Sequence, residues 1–166
     1  MFPEHFDYYD ETLEKGLKAT KDCAPAGFDA PYASFTLNMG RRSCSELHVD
    51  GSNLAAGLCV VSPYGKFDWK KGGHLILHEL KVVLALPPGS IAIFPSALIS
   101  HENVPIGIDE ERRVFTAYSP ARLFQWVSNN FQPVGDAEIG KMGEKRKRGA
   151  EDWLRHVKMF RHGCTF

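Results

Sequence analysis

Short apolar runs separated by turn-forming residues dominate the chain from Ser34 to Tyr118, and they constrain its fold more than any other feature. The clearest corners are Gly72-Gly73 and Pro87-Pro88-Gly89, where glycine and proline favour turns. Runs of this length with turn signals between them are typical of an all-β sandwich or barrel. We predict strands over residues 34–39, 43–49, 55–61, 74–80, 82–86, 90–95, 98–103 and 112–118.

This pattern predicts a mainly β fold, a double-stranded β-helix (jelly roll, cupin-like) with helices at both ends of the chain. Helical spacing of apolar residues predicts a helix over residues 4–22, a short helix within 121–131, and a last amphipathic helix that contains Trp153, Leu154, Val157 and Phe160. Residues 22–31 are predicted as a loop. We assign residues 1–133 to one jelly-roll domain with its N-terminal helix, and residues 134–166 to a basic tail. Another β-sandwich without a metal is the alternative.

Length and composition limit the class of protein. A chain of 166 residues with 43% hydrophobic content can bury one core. No apolar run approaches the ~18 residues of a membrane span, and the acidic N-terminal stretch lacks the design of a signal peptide. We therefore expect an intracellular protein without a membrane partner. Its cysteines, at positions 23, 44, 59 and 164, have no paired spacing, so free thiols are expected, with Cys59 in the core.

The charges are unevenly distributed although the net charge is zero. Residues 141–166 contain eight Lys or Arg against three Asp or Glu, so this tail carries about +5 and the rest of the chain about −5. The cluster from Lys145 to Arg148 is interpreted as a nuclear-import patch, a contact for DNA or RNA, or solvated surface. Nuclear localisation is predicted under the first interpretation and cytoplasmic localisation under the last.

The sequence His48-Val49-Asp50 and the distant His101 form a candidate metal site. Two imidazoles and one carboxylate are the ligands that hold non-haem Fe(II) and leave positions open for cosubstrate and oxygen. Residues two apart in a strand project to the same side, so His48 and Asp50 can reach one metal. His74 and His78 are the competing pair, but in a strand they would lie ~13 Å apart, too far for one metal.

Arg112 is the candidate clamp for 2-oxoglutarate, because a guanidinium grips a carboxylate with two parallel hydrogen bonds. Strand alternation places Arg112, Thr116 and Tyr118 on one face and Arg113 on the other. Polar residues predicted near the site, as ligands of the cosubstrate or ordinary turn residues, are Asn38, Asn53, Ser96 and Asn103. Aromatic residues predicted either for the pocket wall or for the core are Phe94, Tyr118 and Trp126.

Several segments resemble segments of a known family and follow one another in the same order: residues 35–40, 48–53, 71–80, 87–90, 95–96, 101–105, 112–118 and 123–126. Over about residues 35–131 the chain resembles a large fungal branch of 2-oxoglutarate/Fe(II)-dependent dioxygenases that is grouped with the TET/J-binding-protein oxygenases. The resemblance implies iron bound by His48, Asp50 and His101, cosubstrate bound by Arg112, and O2-dependent hydroxylation or oxidative demethylation with release of succinate. In resembling sequences a Ser commonly lies two positions after the Arg, where this chain has Val114.

The resemblance leaves three functions open. The first is oxidation of a modified base such as 5-methylcytosine. The second is the same chemistry on a small molecule or a peptidyl substrate. The third is a metal-binding or interaction module without catalysis, which the departure at Val114 would favour and the retained ligands and Arg112 disfavour.

Overall fold

A computed structural model describes residues 3–20, 30–132 and 142–161. The chain divides into two compact units, a β unit of residues 32–120 and a helical unit that contains the described parts of residues 1–31 and 121–166. The β unit contains strands β1 Ser34–Asn38, β2 Cys59–Lys66, β3 Leu75–Leu77, β4 Val82–Leu84, β5 Ala92–Phe94, β6 His101–Asn103 and β7 Glu111–Tyr118. The helical unit contains α1 Pro3–Ala19, α2 Ala121–Ser128 and α3 Met142–Arg161.

The strands form two antiparallel sheets, with the orders β1-β7-β2-β5 and β4-β3-β6. After β2 the chain passes to the smaller sheet for β3 and β4, returns to the larger sheet for β5, crosses again for β6 and ends in the larger sheet with β7. This repeated exchange between two antiparallel sheets is the jelly-roll arrangement. The predicted mainly β fold class is confirmed.

The core of the β unit draws its side chains from both sheets, as expected when two sheets pack face to face. Its buried members follow the alternation of the strands: Cys59 and Val61, Leu75 and Leu77, Ala92 and Phe94, and Val114, with Leu86 and Ile99 from loops. Cys59 is a buried free thiol, as predicted. The core therefore fixes which residues of β7 point inward, and with them the direction of Arg112.

The strand predicted over residues 43–49 is wrong. This segment contains one isolated bridge, at His48, and another lies just before it at Arg42. The backbone N–H of Ser43 donates to the carbonyl of Arg112 in β7, at 2.9 Å, whereas the carbonyl of Ser45 accepts from Asn103 in β6, at 3.0 Å. Because the segment bonds first to one sheet and then to the other, it cannot maintain a regular ladder with either.

The strand predicted over residues 55–61 is displaced toward the C-terminus. Residues 54–57 form a turn, in which the N–H of Gly57 donates to the carbonyl of Leu54 at 2.7 Å, and β2 continues through Pro63 and Gly65 to Lys66. Both residues usually interrupt strands. Here Gly65 pairs with Arg112 at a φ of +122°, a conformation that L side chains rarely adopt. The other predicted strands are present, several of them shorter.

The helical unit confirms the predicted N-terminal helix, which ends at Ala19. Its buried residues are His5, Tyr8, Tyr9, Thr12 and Gly16. The last helix is also observed, but Trp153 and Leu154 of its predicted apolar face are exposed, by 64% and 59%. Met159 is buried in their place, and the Arg155 guanidinium lies 4.2 Å from the centre of the Tyr8 ring.

Some predictions fall outside the described residues. They are most of the loop over residues 22–31, the domain boundary at residue 133, Cys23, Cys164, and the side chains of residues 145–148. The roles predicted for the basic cluster therefore stay predictions. No helix in the described part of the chain combines the length and apolar character needed to cross a membrane.

Candidate metal centre

Backbone hydrogen bonds place His48 directly opposite His101. The N–H of His48 donates to the carbonyl of His101 at 3.1 Å, and the N–H of His101 donates to the carbonyl of His48 at 2.9 Å. Such a reciprocal antiparallel pair projects both side chains from the same side. The two imidazole centres consequently lie 4.3 Å apart.

Both imidazoles are oriented by a carbonyl two residues earlier in the chain. The Nδ1 of His48 lies 2.7 Å from the carbonyl oxygen of Glu46, and the Nδ1 of His101 lies 2.8 Å from that of Ile99. Because a carbonyl oxygen only accepts, each Nδ1 carries the hydrogen and each Nε2 presents a lone pair. This orientation of the ring by its other nitrogen is usual for histidines that bind metals.

Asp50, in a turn after His48, is the third candidate ligand. Its N–H donates to the carbonyl of Ser96 at 3.0 Å, and the side-chain amide of Asn53 donates to Asp50 Oδ2 at 3.3 Å. The other oxygen, Oδ1, lies 3.6 Å from the Nε2 of His48. Asn53 and Ser96 thus hold the carboxylate with one oxygen turned toward the imidazoles.

The three side chains form a donor set that fits one divalent metal. Their ligand atoms all lie within 4.8 Å of one another. Two atoms bound to one metal at right angles, each ~2.1 Å away, would be ~3 Å apart, so small rotamer changes suffice. His101 is 5% exposed, while the His48 and Asp50 side chains are 41% and 31% exposed. The set is therefore buried on one side and open on the other.

Burial also favours the neutral form of His101 that a metal requires. Desolvation lowers the pKa of His101 below its ordinary value, and the neighbouring His48 acts in the same direction, whereas the hydrogen bond to Ile99 and the charge of Asp50 oppose it. Phe94 contributes to this environment with a ring packed edge-on, 5.0 Å from the imidazole centre. A lone pair on Nε2 is therefore available at neutral pH.

The ligand set opens into a cavity of about 700 Å³, and Arg112 forms part of its wall. The Arg112 side chain is 1% exposed. Its Nη1 donates to the carbonyl of Ser43 at 2.7 Å, whereas its Nε and Nη2 have no hydrogen-bond partner. Within the described residues no carboxylate forms an ion pair with it, so a buried cation has two free donors next to the candidate metal site.

Burying an unpaired charge is costly, by several kcal/mol per ion even after relaxation. This cost appears in the pKa of Arg112, which burial lowers from its ordinary value, while a negative charge on Cys44 would act in the opposite direction. Local packing fixes the side chain, since a Cβ at Gly73 would lie only 3.3 Å from its Cδ. An anionic ligand in the cavity would remove the cost.

The alternation of β7 places Arg112, Val114, Thr116 and Tyr118 along the cavity wall. Asn38 and Thr36, which also line the cavity, are paired with Val114 and Thr116. Arg113 lies on the opposite face, where its Nη1 is 3.3 Å from Glu111 Oε2. The polar side chains nearest to Val114 across the sheet are thus supplied by β1.

Of the remaining residues predicted near the site, one lines the cavity and two do not. Asn103 lines the cavity, and its Oδ1 accepts from the Ser45 hydroxyl at 2.8 Å. Ser96 does not line the cavity but lies behind Asp50 and Asn53, with its hydroxyl 3.4 Å from the Asn53 amide. Trp126 belongs to the helical unit, where its ring centre is 5.0 Å from that of Phe131.

His74 and His78 flank β3 and do not share a metal. His78 Nε2 lies 2.9 Å from Glu102 Oε1 at the surface, and His74 contributes its carbonyl to a hydrogen bond from the Asn103 side chain at 3.4 Å. Among the described residues, His48, Asp50 and His101 are the one group of His, Cys, Asp or Glu that could hold an ion. The strand predicted between the two histidines is observed.

Sequence analysis missed Ser43 and Cys44 as cavity residues. Both line the cavity beside Arg112, and Ser43 binds the guanidinium through its carbonyl. A backbone carbonyl leaves no trace in a side-chain pattern. The available signal was proximity to His48 along the chain, which the incorrect strand over 43–49 concealed.

Comparisons with known proteins give matches only among solved structures. No protein-family model and no curated protein sequence matches the chain. The chain is similar to NgTET1 in complex with 5mC DNA, at 20% identity and a TM-score of 0.49, over 63% of this chain and 40% of that one. It is also similar to the viral collagen prolyl hydroxylase vCPH from Paramecium Bursaria Chlorella virus-1 in its 2OG complex, at 13% identity and a TM-score of 0.36, over 68% and 70% of the two chains. Because these identities and TM-scores are low, the function is inferred below from the residues of the site.

Proposed function

We propose that the chain is an Fe(II)- and 2-oxoglutarate-dependent dioxygenase, with His48, Asp50 and His101 as metal ligands and Arg112 as the clamp for 2-oxoglutarate. The observation that carries the proposal is the presence, in one cavity, of a His-Asp-His donor set and a buried guanidinium with two free donors. A metal site alone would not require the cation, and the cation alone would not require the metal site.

Each residue has a defined task in this proposal. The imidazoles offer Nε2 because their Nδ1 hydrogens are engaged by Glu46 and Ile99. Asp50 offers Oδ1 while Asn53 retains Oδ2. Three ligands on one side of a metal leave its remaining positions for a bidentate cosubstrate and for oxygen. When bound, iron would let O2 act as the oxidant for hydroxylation of a C–H bond, with 2-oxoglutarate supplying two electrons and leaving as succinate and carbon dioxide.

Arg112 orients the cosubstrate and excludes water from its distal carboxylate. Nε and Nη2 are the pair of donors that matches a carboxylate in a bidentate arrangement. Asn38, Asn103 and Thr116 line the same cavity and are proposed as further polar contacts of the cosubstrate. Ser96 is proposed to act through Asp50 and Asn53, which it supports from behind.

For the substrate we propose a modified base of the 5-methylcytosine type. A base is uncharged and would suit the cavity, while its flanking phosphates would need cations outside it. Arg41 and Arg42 are exposed and lie in the chain between the lining residues Gly40 and Ser43. The basic cluster at residues 145–148 is a second candidate for contacts with the phosphates of DNA or RNA.

The second candidate keeps the chemistry and changes the substrate to a small molecule or a peptidyl group. It is equally compatible with the composition of the wall, in which Asp50 and Arg112 are the charged members among the described lining residues. With the metal and the cosubstrate bound, neither would be free to recognise a charged substrate.

Anaerobic addition of Fe(II) and 2-oxoglutarate tests the proposal without knowledge of the substrate. The wild-type protein should develop the weak visible charge-transfer band of the chelated cosubstrate. His101→Ala should abolish the band, and Arg112→Met should require far more 2-oxoglutarate to reach it. His78→Ala, which alters a surface histidine outside the donor set, is the matched control and should leave it unchanged.

Absence of the band in a folded wild-type protein would reject the cosubstrate assignment, and so would an Arg112→Met protein that reaches the band at the same 2-oxoglutarate concentration as the wild type. Turnover assays then distinguish between the two candidate substrates. Oxidised cytosine bases formed from methylated DNA support the first substrate, whereas succinate formation without base oxidation supports the second.

A further inference from the structure

Cys44 is an exposed free thiol on the wall of the same cavity as Arg112. It follows Ser43, whose carbonyl accepts the 2.7 Å hydrogen bond from Arg112 Nη1. Its own Sγ donates to the carbonyl of Asn103 at 3.1 Å. The sulfur is thus held on a segment that is tied both to the guanidinium and to β6, the strand that begins with His101.

The partner that makes this cysteine distinctive is Arg112. A guanidinium that is 1% exposed, lines the cavity and has an unpartnered Nε and Nη2 is prepared for a carboxylate. A molecule held there by one carboxylate would keep its remaining atoms in the cavity whose wall includes Cys44. If one of those atoms were electrophilic, binding would place it in reach of a nucleophile, and proximity alone can accelerate such a reaction greatly.

We propose that Cys44 is a covalent capture site for α,β-unsaturated dicarboxylates, which Arg112 holds by one carboxylate. The proposal rests on the carboxylate-binding part of the proposed function, and it requires neither the metal nor turnover. A dicarboxylate of four carbons can span from the guanidinium to a neighbouring side chain, and a double bond conjugated to its carboxyl group is the acceptor that a thiolate attacks.

The reaction is a conjugate addition. The Cys44 thiol first gives its proton to solvent, and the sulfur then forms a bond to one alkene carbon. The π electrons of the double bond move to the other alkene carbon, which takes a proton from solvent. The sum is addition of S–H across C=C, without a leaving group and without an external oxidant or reductant.

The adduct would close the cavity to the cosubstrate. It leaves two carboxylates attached to Cys44, one of them on Arg112, and so occupies the donors proposed for 2-oxoglutarate. Modification would therefore inactivate the site and would report the local level of unsaturated dicarboxylates. Cys59 also lines the cavity, but it is buried and burial raises its pKa to about 12, so its thiolate is far less available.

The test uses fumarate as the probe on the full chain in the presence of a chelator, with intact-mass analysis and peptide mapping. Fumarate should add once at Cys44, and 2-oxoglutarate should protect. Arg112→Met should slow the addition about tenfold or more, the factor that corresponds to one modest ionic contact. Arg113→Met, on the opposite face of the same strand, should react at the wild-type rate.

A second comparison needs no variant. Dimethyl fumarate is the uncharged diester, so the ratio of its rate to that of fumarate at Cys44 is compared with the same ratio for a free small thiol. If Arg112 holds fumarate next to Cys44, this ratio should favour fumarate by about tenfold or more relative to the free thiol. An unshifted ratio, or modification by the diester without modification by fumarate, would overturn the proposal. Because no metal is present, loss of the charge-transfer band would leave this result untouched, and the two proposals fail separately.

Discussion

Replacing Arg112 by Met separates a ligand clamp from a structural cation, because the two roles predict opposite effects on the apo protein. Methionine has a similar length and no charge, so it can fill the space of the stem. In the proposed role the substitution removes Nε and Nη2, the two donors without a partner, together with the charge. It also removes the Nη1 donor from the carbonyl of Ser43.

The loss of affinity can be worked out from these contacts. Loss of one partner from a desolvated, hydrogen-bonded charge pair costs about 2–5 kcal/mol. We expect about 2–4 kcal/mol here, or a rise of about 30-fold to 1,000-fold in the Kd for 2-oxoglutarate. The stability of the apo protein, in contrast, should stay the same or increase. Removing an unpaired buried cation relieves a penalty of several kcal/mol, which offsets the ~1–3 kcal/mol for an unsatisfied Ser43 carbonyl.

The assay is calorimetric titration of 2-oxoglutarate into the metal-loaded protein, with urea unfolding of the apo protein beside it. Arg112→Met should bind weakly and unfold at the wild-type urea concentration or above it. Arg113→Met should change neither, since its exposed pair with Glu111 is worth at most ~1 kcal/mol. An Arg112→Met protein that is less stable but binds 2-oxoglutarate as the wild type does would refute the clamp. Weaker binding of 2-oxoglutarate by Arg113→Met would show that the wrong face of β7 has been assigned to the cavity.

Three further changes give independent tests. Asp50→Asn should sharply lower metal occupancy measured by elemental analysis, whereas His74→Ala should leave it unchanged; equal occupancy in both would reject the donor set. Gly65→Ala should lower the thermal unfolding temperature strongly, because its φ is +122° and the new Cβ would meet the Glu111 carbonyl, whereas Gly51→Ala, with open space around it, should have little effect. Burial lowers the pKa of His156, Asp152 opposes this to a smaller extent, and Arg155 lowers the pKa further; the unfolded chain therefore binds the proton first as pH falls, and stability present above about pH 6.5 is lost below it. His156→Gln should flatten that loss in urea unfolding, and an unchanged pH profile would contradict the assignment.

The sequence predicted the strands whose apolar residues alternate and whose ends carry turn signals. Residues 112–118 are the clearest example, since alternation alone separated Arg112 from Arg113 and the structure has the same facing. The predicted ligands are brought together for a related reason, because His101 begins a strand and its backbone partner is His48. Two-residue periodicity is a local property, so it can be recognised without knowing the fold.

The errors arose where the backbone departs from periodicity. The strand predicted over residues 55–61 stopped before Pro63 and Gly65, yet β2 continues through them because the left-handed φ of Gly65 permits close approach to β7. In α3, the spacing of Trp153 and Leu154 predicted an apolar face. Met159 is buried, and Val157 of the predicted face is half-buried together with His156, whose ring centre lies 5.6 Å from that of Tyr8. Which face of a helix is buried depends on its neighbours, and one sequence does not contain that information.

The segment that failed to become a strand is the one that connects the two halves of the candidate site. Between residues 43 and 48 it bonds to Arg112 in the larger sheet and to Asn103 and His101 in the smaller one. A regular strand would be committed to one sheet. Because this segment bonds to both, a shift at the carboxylate clamp reaches His48 through only five residues of backbone. We infer that binding of a carboxylate at Arg112 and of a metal at His48 is coupled through this segment. Because 2-oxoglutarate would also chelate the metal directly, the probe is glutarate, which lacks the keto group: it should raise the affinity for the metal, and the metal should raise the affinity for glutarate by the same factor. Equal metal affinity with and without saturating glutarate would show that the segment joins the two sites without coupling them.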